Sequence, residues 1–212
     1  SLAEKSNSDN HIVPEMYLKH DVKRGLRDLD GKGVVAGLTE VSCIIAKKKD
    51  ENGNDIPCDG ELYYRGINVR DLVKGFLTDG HPGFEETIYL LLFSSLPDRE
   101  ELSQFCEQLS TYRSLALYAY DENPNDISIP NVLRQCLQLI AQFPLIAVYA
   151  YHSYQHYHLG NSLFIHYPKK ELNTAENLLY ILREDGKYTP LEAKLLDLAL
   201  VLHAEHGGGN NS

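Results

Sequence analysis

No apolar stretch in this chain of 212 residues is long: each hydrophobic run is soon broken by Tyr, Gln, His or Asp. A bilayer span needs about 20 predominantly apolar residues, so run length predicts no membrane contact. The first segment, SLAEKSNSDNHIVPEM, has neither the basic nor the apolar stretch of a secretory signal. An N-terminal arm over 1–23 and a cytoplasmic location are therefore expected. Basic residues are few, with 20 Lys and Arg against 30 Asp and Glu and a net charge of −10. That balance repels phosphate overall and argues against nucleic acid as a partner, although it leaves room for a local basic pocket that takes a small anion. Cys43, Cys58, Cys106 and Cys136 lie far apart with no CxxC pair. Cys43 and Cys58 flank a hairpin-like stretch and suit pairing in an oxidising compartment; without a signal sequence, reduced thiols are the expectation. GKGVVAG lacks the G-x-x-x-x-G-K-[ST] pattern of a phosphate loop. No repeat or low-complexity segment appears.

What is present is enough apolar material for a core, 43% of residues. From Val34 to Tyr64, β-branched residues, the turn DENGND and the run IPCDGELYY predict a small β-hairpin. From Asn68 the period becomes helical: Val69, Leu72, Val73, Phe76 and Leu77 share a face. Helices follow over FEETIYLLLFSS, PDREELSQFCEQLSTYR and NTAENLLYILR, the last capped by Asn173 or Thr174. One or two more lie over PNVLRQCLQLIAQ and FPLIAVYAYHSYQHYH, broken or kinked at Pro144. TPLEAKLLDLALVLHAEH carries Thr189, Pro190 and Glu192 as a capping box. It is apolar almost all round, which suits the inside of a large protein. The chain thus reads as mainly α with a minor β element. A glycine turn and NNS, a fresh helix-start signal, close the sequence, so a fragment of a longer protein is expected.

The chemistry concentrates at that end. His203 and His206 are spaced to share a helix face, and His206 is expected in the last helical turn, where the helix dipole favours imidazolium. Gly207, Gly208 and Gly209 permit close approach of a ligand to the backbone, and with Asn210 and Ser212 the group suits a small carboxylate. The bland alternative is a helix cap followed by a stop. A metal site is not expected: His203 and His206 lack the HExxH spacing. His152 and His156, at i, i+4, have no evident third ligand; with Tyr149, Tyr151, Tyr154 and Tyr157 around them they suggest a helix surface that packs against another subunit or domain.

Four segments together resemble the citrate synthase family: RGLRDLDGKGVVAGLTEVS from Arg24, DGELYYRGINVRDL from Asp59, FPLIAVYAYHSY from Phe143, and the terminal LHAEHGGGNNS. They are similar to the family's GL-x-G-V-x-A-x-T-x-I, L-x-YRGY-x-I-x-x-L and P-x-I-A-A-x-x-Y segments and to its oxaloacetate-binding His segment, in family order. The resemblance implies that residues 24–212 are the N-terminal portion of a multi-helical large domain, without the small domain. It implies a Claisen-type condensation of acetyl-CoA with oxaloacetate, without metal or redox cofactor, in a homodimer.

Residue by residue, His206 matches the oxaloacetate-binding His, Asn210 a polar residue of the same pocket, and Ser212 a hydroxyl that supports the enol-stabilising His, with His203 in a supporting place. The GPLHGG-like and GFGHRVY-like motifs that carry the catalytic histidines do not occur. No catalytic residue is therefore expected within these residues, and the chain alone is expected not to turn over. Glu205 stands where many members have Asp, and Gly207 where Glu is frequent. A 2-methylcitrate synthase using propionyl-CoA fits the same segments. The alternative from another class is a non-catalytic helical interaction module.

Overall fold

The computed structural model describes residues 12–20, 38–113 and 125–205. A short helix α1 (Pro14–Lys19) lies within the expected N-terminal arm. Strands β1 (Ser42–Lys49), β2 (Asp55–Tyr64) and β3 (Ile67–Asn68) form an antiparallel sheet in the order β1-β2-β3. The first strand starts at Ser42, later than the β-branched run suggested; residues 34–37 lie outside the described residues. Asp50 shapes the first turn by accepting from the amides of Asn52 and Asn54, at 2.9 and 2.8 Å. The second turn, Arg65-Gly66, has φ of 47° and 80°, the two successive positive values of a tight hairpin turn. Arg65 is an uncommon residue there. Its guanidinium donates twice to the Leu91 carbonyl, at 3.2 and 2.8 Å, and so ties the turn to a helix. Cys43 stands opposite Tyr63, while Pro57, next to Cys58, faces Lys47. The two thiols therefore occupy different rungs, and all four cysteines are free.

Helices α2 (Val69–Asp79), α3 (Gly83–Phe93), α4 (Arg99–Tyr112), α5 (Ile129–Leu159), α6 (Thr174–Leu182) and α7 (Pro190–Leu202) make up the rest. Local chemistry sets most of their ends. Asp98 with Glu101, Asn173 with Glu176 and Thr189 with Glu192 form reciprocal capping boxes on α4, α6 and α7. Gly80 and Gly160 end α2 and α5 in the left-handed conformation. The helix α5 is continuous through Pro144, although proline withholds one backbone hydrogen bond. By length and composition alone α5 suffices to cross a membrane, against the expectation from run lengths. Its interrupting Tyr, Gln and His residues do not interrupt the helix itself.

The apolar residues gather into three clusters. Ile88, Tyr89, Phe93, Phe105, Leu109, Leu137 and Ala141 join α3, α4 and α5. The rings of Tyr89, Phe93 and Phe105 meet edge to face within it, with centroids 4.7 to 6.0 Å apart. Tyr64, Val69, Leu72, Phe76, Leu90 and Val201 join the sheet to α2, α3 and α7. Leu145, Val148 and Ile181 join α5 to α6. Gly83 is obligatory where α2 meets α3, since a Cβ there would lie 2.5 Å from the Phe76 ring.

Candidate functional site

The second cluster brings the end of α7 against the end of the sheet. Ala193, Asp197 and Val201 form its buried line, one residue per turn. Asp197 fixes the helix lengthwise: its carboxylate accepts from the amides of Gly83 and Phe84, at 2.8 and 3.0 Å. These amides have no partner within α3, whose N-cap Pro82 makes no side-chain hydrogen bond. Burial nonetheless raises the Asp197 pKa, because desolvation opposes its charge more than the two amides favour it.

Helix α7 ends at Leu202, earlier than the sequence led us to expect. His203 is the C-cap, and the Ala204 amide donates to Val201 O at 3.3 Å, a tighter bond than the α-helical one. The Val201 carbonyl also accepts from the Tyr64 hydroxyl at 2.7 Å. Glu205 has already left the helix; His206, expected in the last helical turn, lies outside the described residues. The His203 ring is exposed and its Nδ1 donates to Ala199 O at 2.7 Å, which satisfies a terminal carbonyl. Glu205 is tied back to the sheet: its amide donates to the Tyr64 hydroxyl at 3.4 Å, and its Oε1 accepts from Ser42 Oγ at 3.3 Å. His206, Asn210 and Ser212, and the three glycines, lie outside the described residues.

Sequence reasoning did not single out Tyr64, Ser42 or Asp197. The YYRG segment containing Tyr64 resembles a family motif, but nothing local says that its hydroxyl reaches a helix end 137 residues away. The His152 and His156 surface also needs correction. His152 is buried at 4% exposure and shares a 2.9 Å hydrogen bond with Ile181 O, so it ties α5 to α6 and does not face a partner. His156 bonds Asn161 O at 2.8 Å just past its own helix end. Tyr151, Tyr154 and Tyr157 are the exposed members of that stretch. Among the described residues, no group of three or more His, Cys, Asp or Glu is placed to hold a metal ion.

A cleft of about 350 Å³ opens beside α7, with Phe76, His81, Asn173, Lys194 and Asp197 among its lining residues. Asn173 and Asp197 serve there as helix caps, and His81 stands 3.5 Å from Glu86.

The profile described as "Citrate synthase, C-terminal domain" matches residues 28–119 and 114–212. A citrate synthase of Haloferax volcanii is 29% identical over 178 residues, covering 70% of this chain and 44% of its own length. The 2-methylcitrate synthase 2 of Corynebacterium glutamicum is 26% identical over 216 residues, covering 88% of this chain and 49% of its own. The crystal structure of a citrate synthase from Pyrobaculum aerophilum superposes with a TM-score of 0.61 at 24% identity, over 85% of this chain and 49% of that one; this likeness establishes the fold. The chain spans somewhat under half the length of these relatives.

Proposed function

We propose, because this chain belongs to the citrate synthase family, that the full-length protein condenses acetyl-CoA with oxaloacetate to give citrate and CoA. A carboxylate takes a proton from the acetyl methyl group, and the resulting enol attacks the oxaloacetate ketone carbon. The ketone oxygen gains a proton, and water then cleaves the thioester. Such chemistry depends on a correctly placed base and on donors set where oxyanion charge develops; it needs no metal and no redox cofactor. We assign His206 and Asn210 to the oxaloacetate, with Ser212 and His203 supporting. We place the base and the two polarising histidines in the part of the family pattern to which nothing here corresponds.

One observation supports this reading: the family match extends to residue 212 and so takes in the LHAEHGGGNNS segment, which begins at a helix end that two strands hold in place. A propionyl-CoA enzyme is the second reading, favoured by the match to a 2-methylcitrate synthase over 88% of the chain.

The test is steady-state kinetics of the full-length protein with each acyl-CoA; the higher kcat/KM decides between the two. His206→Ala should raise KM for oxaloacetate by about a hundredfold, as loss of a charged hydrogen-bond donor does. Unchanged kinetics would reduce His206 to a structural residue. The 212-residue chain alone should not turn over, and turnover by it would refute our assignment of the catalytic groups.

A further inference from the structure

We propose that Tyr64 is a positioning residue for oxaloacetate binding, acting through the turn that leads from α7 into His206. The proposal rests on the reading of His206 as an oxaloacetate ligand. Tyr64 closes strand β2 and is 0% exposed. Its single hydroxyl serves both sides of the turn: it donates to Val201 O at 2.7 Å, in the last turn of α7, and accepts from the Glu205 amide at 3.4 Å. Val201 and Glu205 bracket the point where the helix stops, and His206 is the next residue in the chain. Ser42, directly across the ladder from Tyr64, adds a second tie through the Glu205 carboxylate at 3.3 Å. The strand end is itself anchored, because the adjacent Arg65 donates its amide to Val41 O and its guanidinium to Leu91 O.

A phenol held on both sides of a helix stop sets where and in which direction the backbone leaves it. Substrate recognition by a side chain immediately downstream is sensitive to displacements of about 1 Å. The small sheet thereby has a part in substrate binding, although 137 residues separate Tyr64 from the helix end it holds.

The experiment uses the full-length protein. Tyr64→Phe keeps the ring in the core and removes only the hydroxyl. It should raise KM for oxaloacetate about tenfold and leave KM for the acyl-CoA unchanged. On a His206→Ala background the same substitution should have no further effect on oxaloacetate KM, the mark of two residues acting as one unit. Ser42→Ala should shift oxaloacetate KM in the same direction by a smaller factor, and it carries the test if Tyr64→Phe does not fold. Equal rises in both KM values, a full additional effect on the His206→Ala background, or no effect at all would overturn the proposal alone. A wild-type protein inactive with both acyl-CoA substrates, or a His206→Ala variant with wild-type kinetics, would instead overturn the reading of the site and this proposal with it.

Discussion

Glu85 is the most tightly enclosed charge-bearing residue described, at 0% exposure. One of its oxygens accepts from the Thr174 amide and hydroxyl, both at 2.8 Å, and from Arg113 at 3.4 Å. The other, Oε2, has no partner among the described residues. Arg113 is also buried and donates to Leu172 O at 2.7 Å and to the Thr174 hydroxyl at 3.2 Å. Glu85 thus caps α6 as Asp197 caps α3, and the two carboxylates link α7 to α3 and α3 to α6. Burial raises the Glu85 pKa above its ordinary 4.5, more than Thr174 and Arg113 lower it. A raised carboxyl pKa means that the folded state prefers the proton. Glu85 therefore costs stability progressively as pH rises from about 4.5 through its folded-state value. Glu85→Gln cannot ionise, so wild type should lose ground to it between about pH 5 and pH 8. Urea unfolding at both pH values checks this; a wild type that gains on the variant as pH rises would contradict it. At this scale the sequence was least informative, because Glu85 and Arg113 look like ordinary surface charges on amphipathic helices.

Among the elements, α7 shows both what was legible and what was not. Its start was readable from Thr189, Pro190 and Glu192, and the capping box is present with Thr189 Oγ1 accepting the Glu192 amide at 3.3 Å. Thr189→Ala should cost about 1 kcal/mol, and Thr189→Ser close to nothing, in chemical denaturation. Equal losses would show that the hydroxyl does not hold the helix start. Glu192 also receives Arg183 at 2.6 Å, and that hydrogen bond above all lowers its pKa to about 2. A lowered carboxyl pKa contributes stability above the unfolded-state value, and the contribution is lost as pH falls from about 4.5 toward 2. The helix end was not readable: the pattern LVLHAEH continues the period to His206, and only the Tyr64 hydroxyl and the tightened Ala204 bond show that it stops at Leu202. The strands have the same asymmetry, since the DENGND turn was visible whereas the late start of β1 and the second turn at Arg65-Gly66 were not.

For the whole molecule, the decisive feature is how much apolar surface this chain leaves open. Leu191, Leu195 and Leu202 on α7 are exposed, Leu191 at 65%. Along α5, Val132, Leu139, Phe143, Ile146, Tyr154 and Tyr157 form one exposed stripe, with Phe143 at 63% and Tyr157 at 78%. A stripe at helical spacing over several turns is a continuous face, unlike apolar side chains exposed singly. We propose that this stripe packs against another subunit or domain of the full-length protein. Phe143→Glu there should shift sedimentation toward the monomer while far-UV circular dichroism stays unchanged. Unchanged sedimentation would show that no second copy sits on the stripe.

Sequence alone determined the kind of protein this is: helices from their period, the starts of α6 and α7 from their caps, the hairpin from its turn residues, and the family from four ordered segments. Each of these signals lies within a few consecutive residues, where side chain and backbone interact directly. Tertiary structure alone decided which charges are buried, which face of α5 takes His152 inward, and where α7 ends. Those outcomes depend on groups such as Tyr64 and Val201, or Glu85 and Thr174, that folding brings into contact from distant parts of the chain, and no local pattern encodes such a meeting.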